Sequence, residues 1–80
     1  MNIYPNPAFH TIYVNLGDRT THSGRIEVMD MSGKMVMEEQ VPAGYQVIEM
    51  NIEDLDRGIY ILHWLESGKV SGVSKMVKTR

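Results

Sequence analysis

Cysteine is absent from the 80 residues, which removes disulfides, thiolate chemistry and thiol-ligated metal together. That absence leaves the cellular compartment open. No apolar run approaches the roughly 20 residues that span a bilayer, so no membrane span is expected. A formal net charge of −2 lacks the basic excess that steers a chain toward nucleic acid or anionic lipid, although Lys75, Lys78 and Arg80 make the tail locally cationic. Nucleic acid is therefore not an expected partner. Helical patterning is missing too, because no stretch keeps apolar residues at helical spacing for several turns. No charged and apolar leader precedes Asn2, so the chain reads as a fragment of something larger, with no signal peptide of its own.

What remains is alternation. A chain of this length makes one domain, near the lower size at which an apolar core offsets chain entropy without disulfides or metal. Short alternating runs are bounded by Gly, Pro, Asn or Ser, the pattern of strands and turns. Ile12, Val14 and Leu16 share one face of a first clear strand, and Ile26 and Val28 continue the inward pattern with Arg25 and Glu27 facing water. In Lys34 to Gln40, the consecutive Met35, Val36 and Met37 defeat period two; Val36 is taken as inward. Ile48, Met50 and Ile52 alternate clearly. Ile59 to Leu65 is almost continuously apolar, as expected of a central strand covered on both sides or packed under loops. Val70 to Thr79 supplies a last strand whose Lys78 and Arg80 read as charges protecting an edge. With Ile3-Tyr4 as a short first strand the total is seven, which predicts an all-β fold, a small immunoglobulin-like β-sandwich, with a small barrel as the alternative. Ser-Gly-Lys occurs at 32 to 34 and again at 67 to 69, and both look like hairpin turns.

Residues that carry chemistry elsewhere have structural roles here. His10, His22 and His63 lack the short ligand spacings of a zinc site, and Trp64 suits a core. Glu53, Asp54 and Asp56 share a loop without the glycine-punctuated spacing of a calcium site, so turn and capping roles suit them. Gly33-Lys34 and Gly68-Lys69 lack the upstream glycines and the following Ser or Thr of a phosphate loop. No serine stands in a nucleophile elbow, and so small a domain leaves little space for a deep pocket. The reading is a non-enzyme without cofactor or metal.

One local signature concerns architecture. Leu55-Asp56-Arg57-Gly58-Ile59-Tyr60 puts a phenol two residues after a glycine bend, at the start of the most apolar strand. This resembles a tyrosine corner, in which the ring fills the end of the core and the hydroxyl bonds back to backbone a few residues upstream. Pro5 and Pro7 fix φ, remove two backbone donors and push Tyr4 and Asn6 toward extended geometry, so they end the first short strand without starting a helix.

Taken in order, Tyr4-Pro5-Asn6-Pro7-Ala8, then Asp30-x-x-Gly33-Lys34, then Leu55-x-x-Gly58-x-Tyr60, and last a basic, apolar terminus with Lys75-Met76-Val77, the chain resembles the type A C-terminal sorting domain of type IX secretion cargo. The likeness covers nearly the whole chain. It departs from the family pattern at Phe9, His10, Asp56 and Arg57.

The resemblance implies a secretion address of Bacteroidota: a terminal domain carried in cis by a parent cargo, engaged by the outer-membrane translocon, and commonly removed by a sortase-like surface protease. It implies export through the periplasm to the cell surface or the extracellular space. It also assigns Lys75, Met76, Val77, Lys78, Thr79 and Arg80 to the strand that the translocon reads. An exposed last strand suits recognition by strand addition, through unpaired backbone groups, and the same edge can pair with a second copy to give a dimer. The competing expectation is a small accessory sandwich that binds carbohydrate or protein through exposed aromatics such as Tyr13 or Tyr45.

Overall fold

The computed structural model describes residues 1–79. Arg80, the last residue of the expected recognition run, lies outside the described residues. The chain forms strands β1 (Asn2–Tyr4), β2 (Thr11–Asn15), β3 (Gly24–Asp30), β4 (Met35–Val41), β5 (Val47–Asn51), β6 (Gly58–Glu66) and β7 (Lys69–Lys78). They make two antiparallel sheets, a three-stranded one ordered β1-β2-β5 and a four-stranded one ordered β4-β3-β6-β7. This is the seven-stranded sandwich expected from the alternation, and no helix among the described residues is long and apolar enough to cross a membrane.

The sheets face each other because period two sends one apolar set inward from each strand. Ile12 and Val14 of β2 and Ile48 and Met50 of β5 meet Ile26 and Val28 of β3 and Tyr60, Leu62 and Trp64 of β6, all of them buried. Each such side chain, fully withdrawn from water, contributes about 1.5–3 kcal/mol of transfer free energy.

Three expectations need correction and one needs completing. First, β6 is buried along its length on one face alone: Tyr60, Leu62 and Trp64 point inward, but at the alternate positions Ile59 is 43% exposed, Ile61 and His63 are half-buried, and Leu65 is buried. Among the described residues no third layer of strands or helices lies over the outer face of the four-stranded sheet, so the continuous apolar run does not mark double coverage. Second, Val36 packs against the core as expected, and Met37 does so beside it. The register passes from Val28↔Met37 to Met29↔Met35, which leaves Val36 as the extra residue of a β-bulge. Two neighbours can then face one side.

Third, Lys78 is no solvated edge charge. Its residue is 2% exposed, and its ammonium group donates to the Thr79 carbonyl at 3.2 Å and lies 5.5 Å from the centre of the Phe9 ring. Fourth, the outward edge of β7 is not free along its terminal half, because Asn6 and Ala8 bond to it. The Tyr4–Pro5 and Asn6–Pro7 peptide bonds are both cis.

Candidate recognition site

Segments far apart in sequence meet at one end of the four-stranded sheet. Cross-strand register places Asp30 of β3 opposite Tyr60 of β6, and Tyr60 opposite Met76 of β7. Gly58 stands opposite Lys78, and Ala8 forms a parallel bridge with Lys78 from the other side. The turn, the corner, the proline segment and the terminal strand therefore share one end of the molecule.

Each part is held by identifiable bonds. In the β3–β4 hairpin, Asp30 Oδ1 accepts from Ser32 N at 2.9 Å, Ser32 Oγ at 2.6 Å and Lys34 N at 3.0 Å. The Ser32 hydroxyl, and after it the Lys34 amide, hold the Asp30 carboxyl below its ordinary pKa by stabilising the charged form. Gly33 takes φ 89°, the left-handed conformation that closes this loop, and its amide donates to the Asp30 carbonyl at 3.0 Å.

At the corner, the buried Tyr60 hydroxyl donates to the Asp56 carbonyl at 2.6 Å, the back-bond predicted for a tyrosine corner. Burial, and then the charges of Asp56 and Asp30, push the phenol pKa up, so Tyr60 stays a neutral donor. Leu55 packs at the margin of the core, and its amide donates to the Ile52 carbonyl at 3.1 Å.

Residues 6–8 run along the outward edge of β7. Asn6 Nδ2 donates to the Lys75 carbonyl at 2.9 Å, and Asn6 Oδ1 accepts from Val77 N at 2.9 Å. Ala8 N donates to the Val77 carbonyl at 2.8 Å, while its carbonyl accepts from Thr79 N at 2.8 Å and from Thr79 Oγ1 at 3.0 Å. One side-chain amide thus supplies the donor and the acceptor that a neighbouring peptide group would. Lys75 to Thr79 consequently offers no row of unpaired backbone groups, contrary to the expectation of an open edge.

Along the same run, Met76 is fully buried, Val77 is half-buried, and Lys75 and, just past the strand, Thr79 are exposed. Lys34 is exposed beyond the hairpin, and Tyr4, Pro5 and Pro7 are exposed along the proline segment.

The remaining candidates scatter. His10 Nε2 lies 3.2 Å from Glu53 and its ring stacks on Phe9, His22 Nδ1 lies 3.1 Å from the Thr21 hydroxyl, and His63 is on β6. Among the described residues no three His, Asp or Glu side chains are grouped so as to hold a metal ion. Tyr13 stacks on Tyr4 with ring centres 5.6 Å apart on the outside of the three-stranded sheet, and Tyr45 is 51% exposed in the turn before β5.

Sequence reasoning misses two ties. Thr20 is buried in the connection between β2 and β3; its hydroxyl donates to the Pro42 carbonyl at 3.0 Å and accepts from Tyr45 N at 3.3 Å, joining two loops. Asn6 is recognisable by its place in a motif, yet its partners lie 69 and 71 residues away, where no local pattern points.

Fold and site together define a small β-sandwich whose distinguishing residues fix a terminal strand rather than line a catalytic cleft. The family model of the secretion system C-terminal sorting domain matches residues 2–79, and the chain belongs to that family. No curated protein matches the chain. The domain is a C-terminal sorting signal for type IX secretion, which directs export to the cell surface or extracellular space and works with the type IX machinery. The family is one of sorting signals, not of catalysts.

Proposed function

We propose that this domain is the address of a larger secreted cargo, that the type IX outer-membrane translocon reads its terminal run from Lys75 through Arg80, and that a sortase-like surface protease then removes it. The observation that carries this reading is the convergence of the motif blocks on one strand. Asn6 and Ala8 bond its outward edge, Tyr60 and Gly58 pair with its inner neighbour positions, and Asp30 closes the same row. A signal that must be recognised folded benefits from such anchoring, because a strand held in one geometry loses less conformational freedom on binding than a frayed terminus does.

A reporter joined to the domain as its cargo supplies the test. Directed to the periplasm, fused ahead of residues 1 to 80 and expressed in a type IX-competent bacterium, it is expected outside the cell. The same fusion ending before Lys75 is expected to stay in the periplasm. Retention of the reporter that carries the whole domain would reject the sorting role. Equal export of both fusions would reject the terminal run as the part that is read.

A further inference from the structure

We propose that the secretion machinery docks on the outer face of β6 and β7, through an apolar protein surface carrying a carboxylate, rather than by adding a strand along Lys75–Thr79. The docking face consists of Ile59, Ile61, Val73 and Val77 around Lys75. This rests on the sorting reading and specifies which surface serves it.

Three observations lead there. Strand addition along Lys75–Thr79 would first have to break the bonds that Asn6 and Ala8 make with Lys75, Val77 and Thr79, so that edge is already occupied. The outer face beside it is uncovered and apolar: Ile59 is 43% and Val73 57% exposed, Ile61 and Val77 are half-buried, and Ile59 stands opposite Val77. Contiguous exposed aliphatic side chains on a small domain mark an interaction surface.

Finally, Lys75 stands opposite Ile61 in the middle of this patch and makes no ion pair among the described residues. The carboxylates on the same side of the sheet, Glu27 and Glu38, instead lie 2.8 and 3.5 Å from Arg25 Nε, two strands and more away from β7. A cation within an aliphatic surround selects a partner with a carboxylate at the matching point and apolar contact around it. A second copy fits poorly, since two-fold packing of this face on itself would bring two lysines together.

The test uses the reporter fusion with three alterations: Ile59→Glu with Val73→Glu, Lys75→Glu, and Val47→Glu. Val47 is 41% exposed on the edge strand of the opposite sheet, so it controls for an added surface charge. Export is expected to fall at least about tenfold, the effect of roughly 1.4 kcal/mol of lost binding, for the first two and to stay near the unaltered level for the third. Thermal unfolding of the purified domains identifies any variant that fails to fold, and the exposed Lys75→Glu keeps the comparison readable if the double variant does.

Export of the unaltered fusion together with undiminished export of folded Lys75→Glu, or of the folded double variant, would overturn the docking face alone. An unaltered fusion that stays inside the cell would overturn the sorting reading, and this inference with it. A dimer of the purified domain that the face substitutions dissolve would make the occupant a second copy, and would also overturn the proposal.

Discussion

Between Lys75 and Thr79 the outward edge of β7 is bonded by Asn6 and Ala8, whereas no hydrogen bond from another part of the described chain reaches that edge between Val70 and Ser74. The two halves are protected by different means. The open half carries a register shift at Trp64/Leu65, where Gly72 and Val70 become the successive partners and Ser71 is the extra residue. A bulge twists an edge away from flat pairing.

The closed half is covered by a segment that has little backbone to offer, because Pro5 and Pro7 lack an N–H. Asn6 solves this with its side chain, which faces the Lys75 carbonyl and the Val77 amide at once. The difference teaches that the proline segment acts through the Asn6 side chain, between two rigid neighbours, together with the backbone of Ala8, and that the terminal strand is held where its last residues would otherwise fray.

Asn6→Ala should therefore show the largest effect on this contrast. It removes both side-chain bonds and leaves the Lys75 carbonyl and the Val77 amide to water, at about 1–2 kcal/mol, twice the net value of a single bond. Denaturant unfolding measures the loss. Hydrogen exchange at Val77 should accelerate while exchange at Leu62, on the inner strand of the ladder, follows global stability alone. Unchanged protection at Val77 would mean that residue 6 does not close the edge.

Next in size is Tyr60→Phe, which keeps the ring in the core and deletes only the bond to the Asp56 carbonyl, at about 1 kcal/mol. It loosens the loop before β6 without touching the edge, so Val77 exchange should rise only as far as global stability falls. Thr79→Val is smaller again, about 0.5 kcal/mol. The Ala8 carbonyl loses the hydroxyl but keeps the Thr79 amide, so the acceptor remains satisfied. A loss as large as that of Asn6→Ala would show that the hydroxyl, not the asparagine amide, is the principal fastener.

Much of the fold is legible because burial on one face writes period two into the strands: Ile12 and Val14, Ile26 and Val28, Ile48 and Met50 all point inward as read. The alternation is incomplete where the backbone departs from two-residue repeat, since it gives Val36 but not Met37 as inward. Val36 sits at a bulge, and a bulge has no compositional mark in Met35-Val36-Met37. It misleads at Ile59 and Ile61, since an apolar residue facing outward looks the same in sequence as one facing a second layer.

The charge of Lys78 suggests an edge residue, whereas its parity with Met76 places it inward. The two Ser-Gly-Lys turns both read as hairpins, but they differ in how they close. Asp30 binds Ser32 and Lys34, whereas Ser67 and Gly68 adopt φ 53° and 78° in a two-residue loop with positive φ at both positions. At the site, the motif positions can be found from the chain, and a tyrosine back-bond to backbone a few residues upstream follows from the corner pattern, with Asp56 as the acceptor that the structure identifies. The closure of β7 cannot, because a side-chain bond across 71 residues leaves no periodic trace.

The smallest expected effect lies on the open half, at Gly72. A Cβ built there would meet Met1 Cβ at 3.2 Å and Trp64 Cβ at 3.7 Å, a tight but not forbidden approach. Met1 precedes β1, so it can shift by a few tenths of an ångström without breaking a ladder bond. Against that adjustment, alanine loses less backbone freedom on folding than glycine does in a strand, by roughly 0.5–1 kcal/mol. The two terms nearly cancel, and Gly72→Ala should unfold within about 0.5 kcal/mol of the unaltered domain. A loss above about 1 kcal/mol would mean that the open half is as tightly constrained as the closed half, by Met1 lying against it, and the contrast between the two stretches of β7 would be one of bonding alone and not of tolerance.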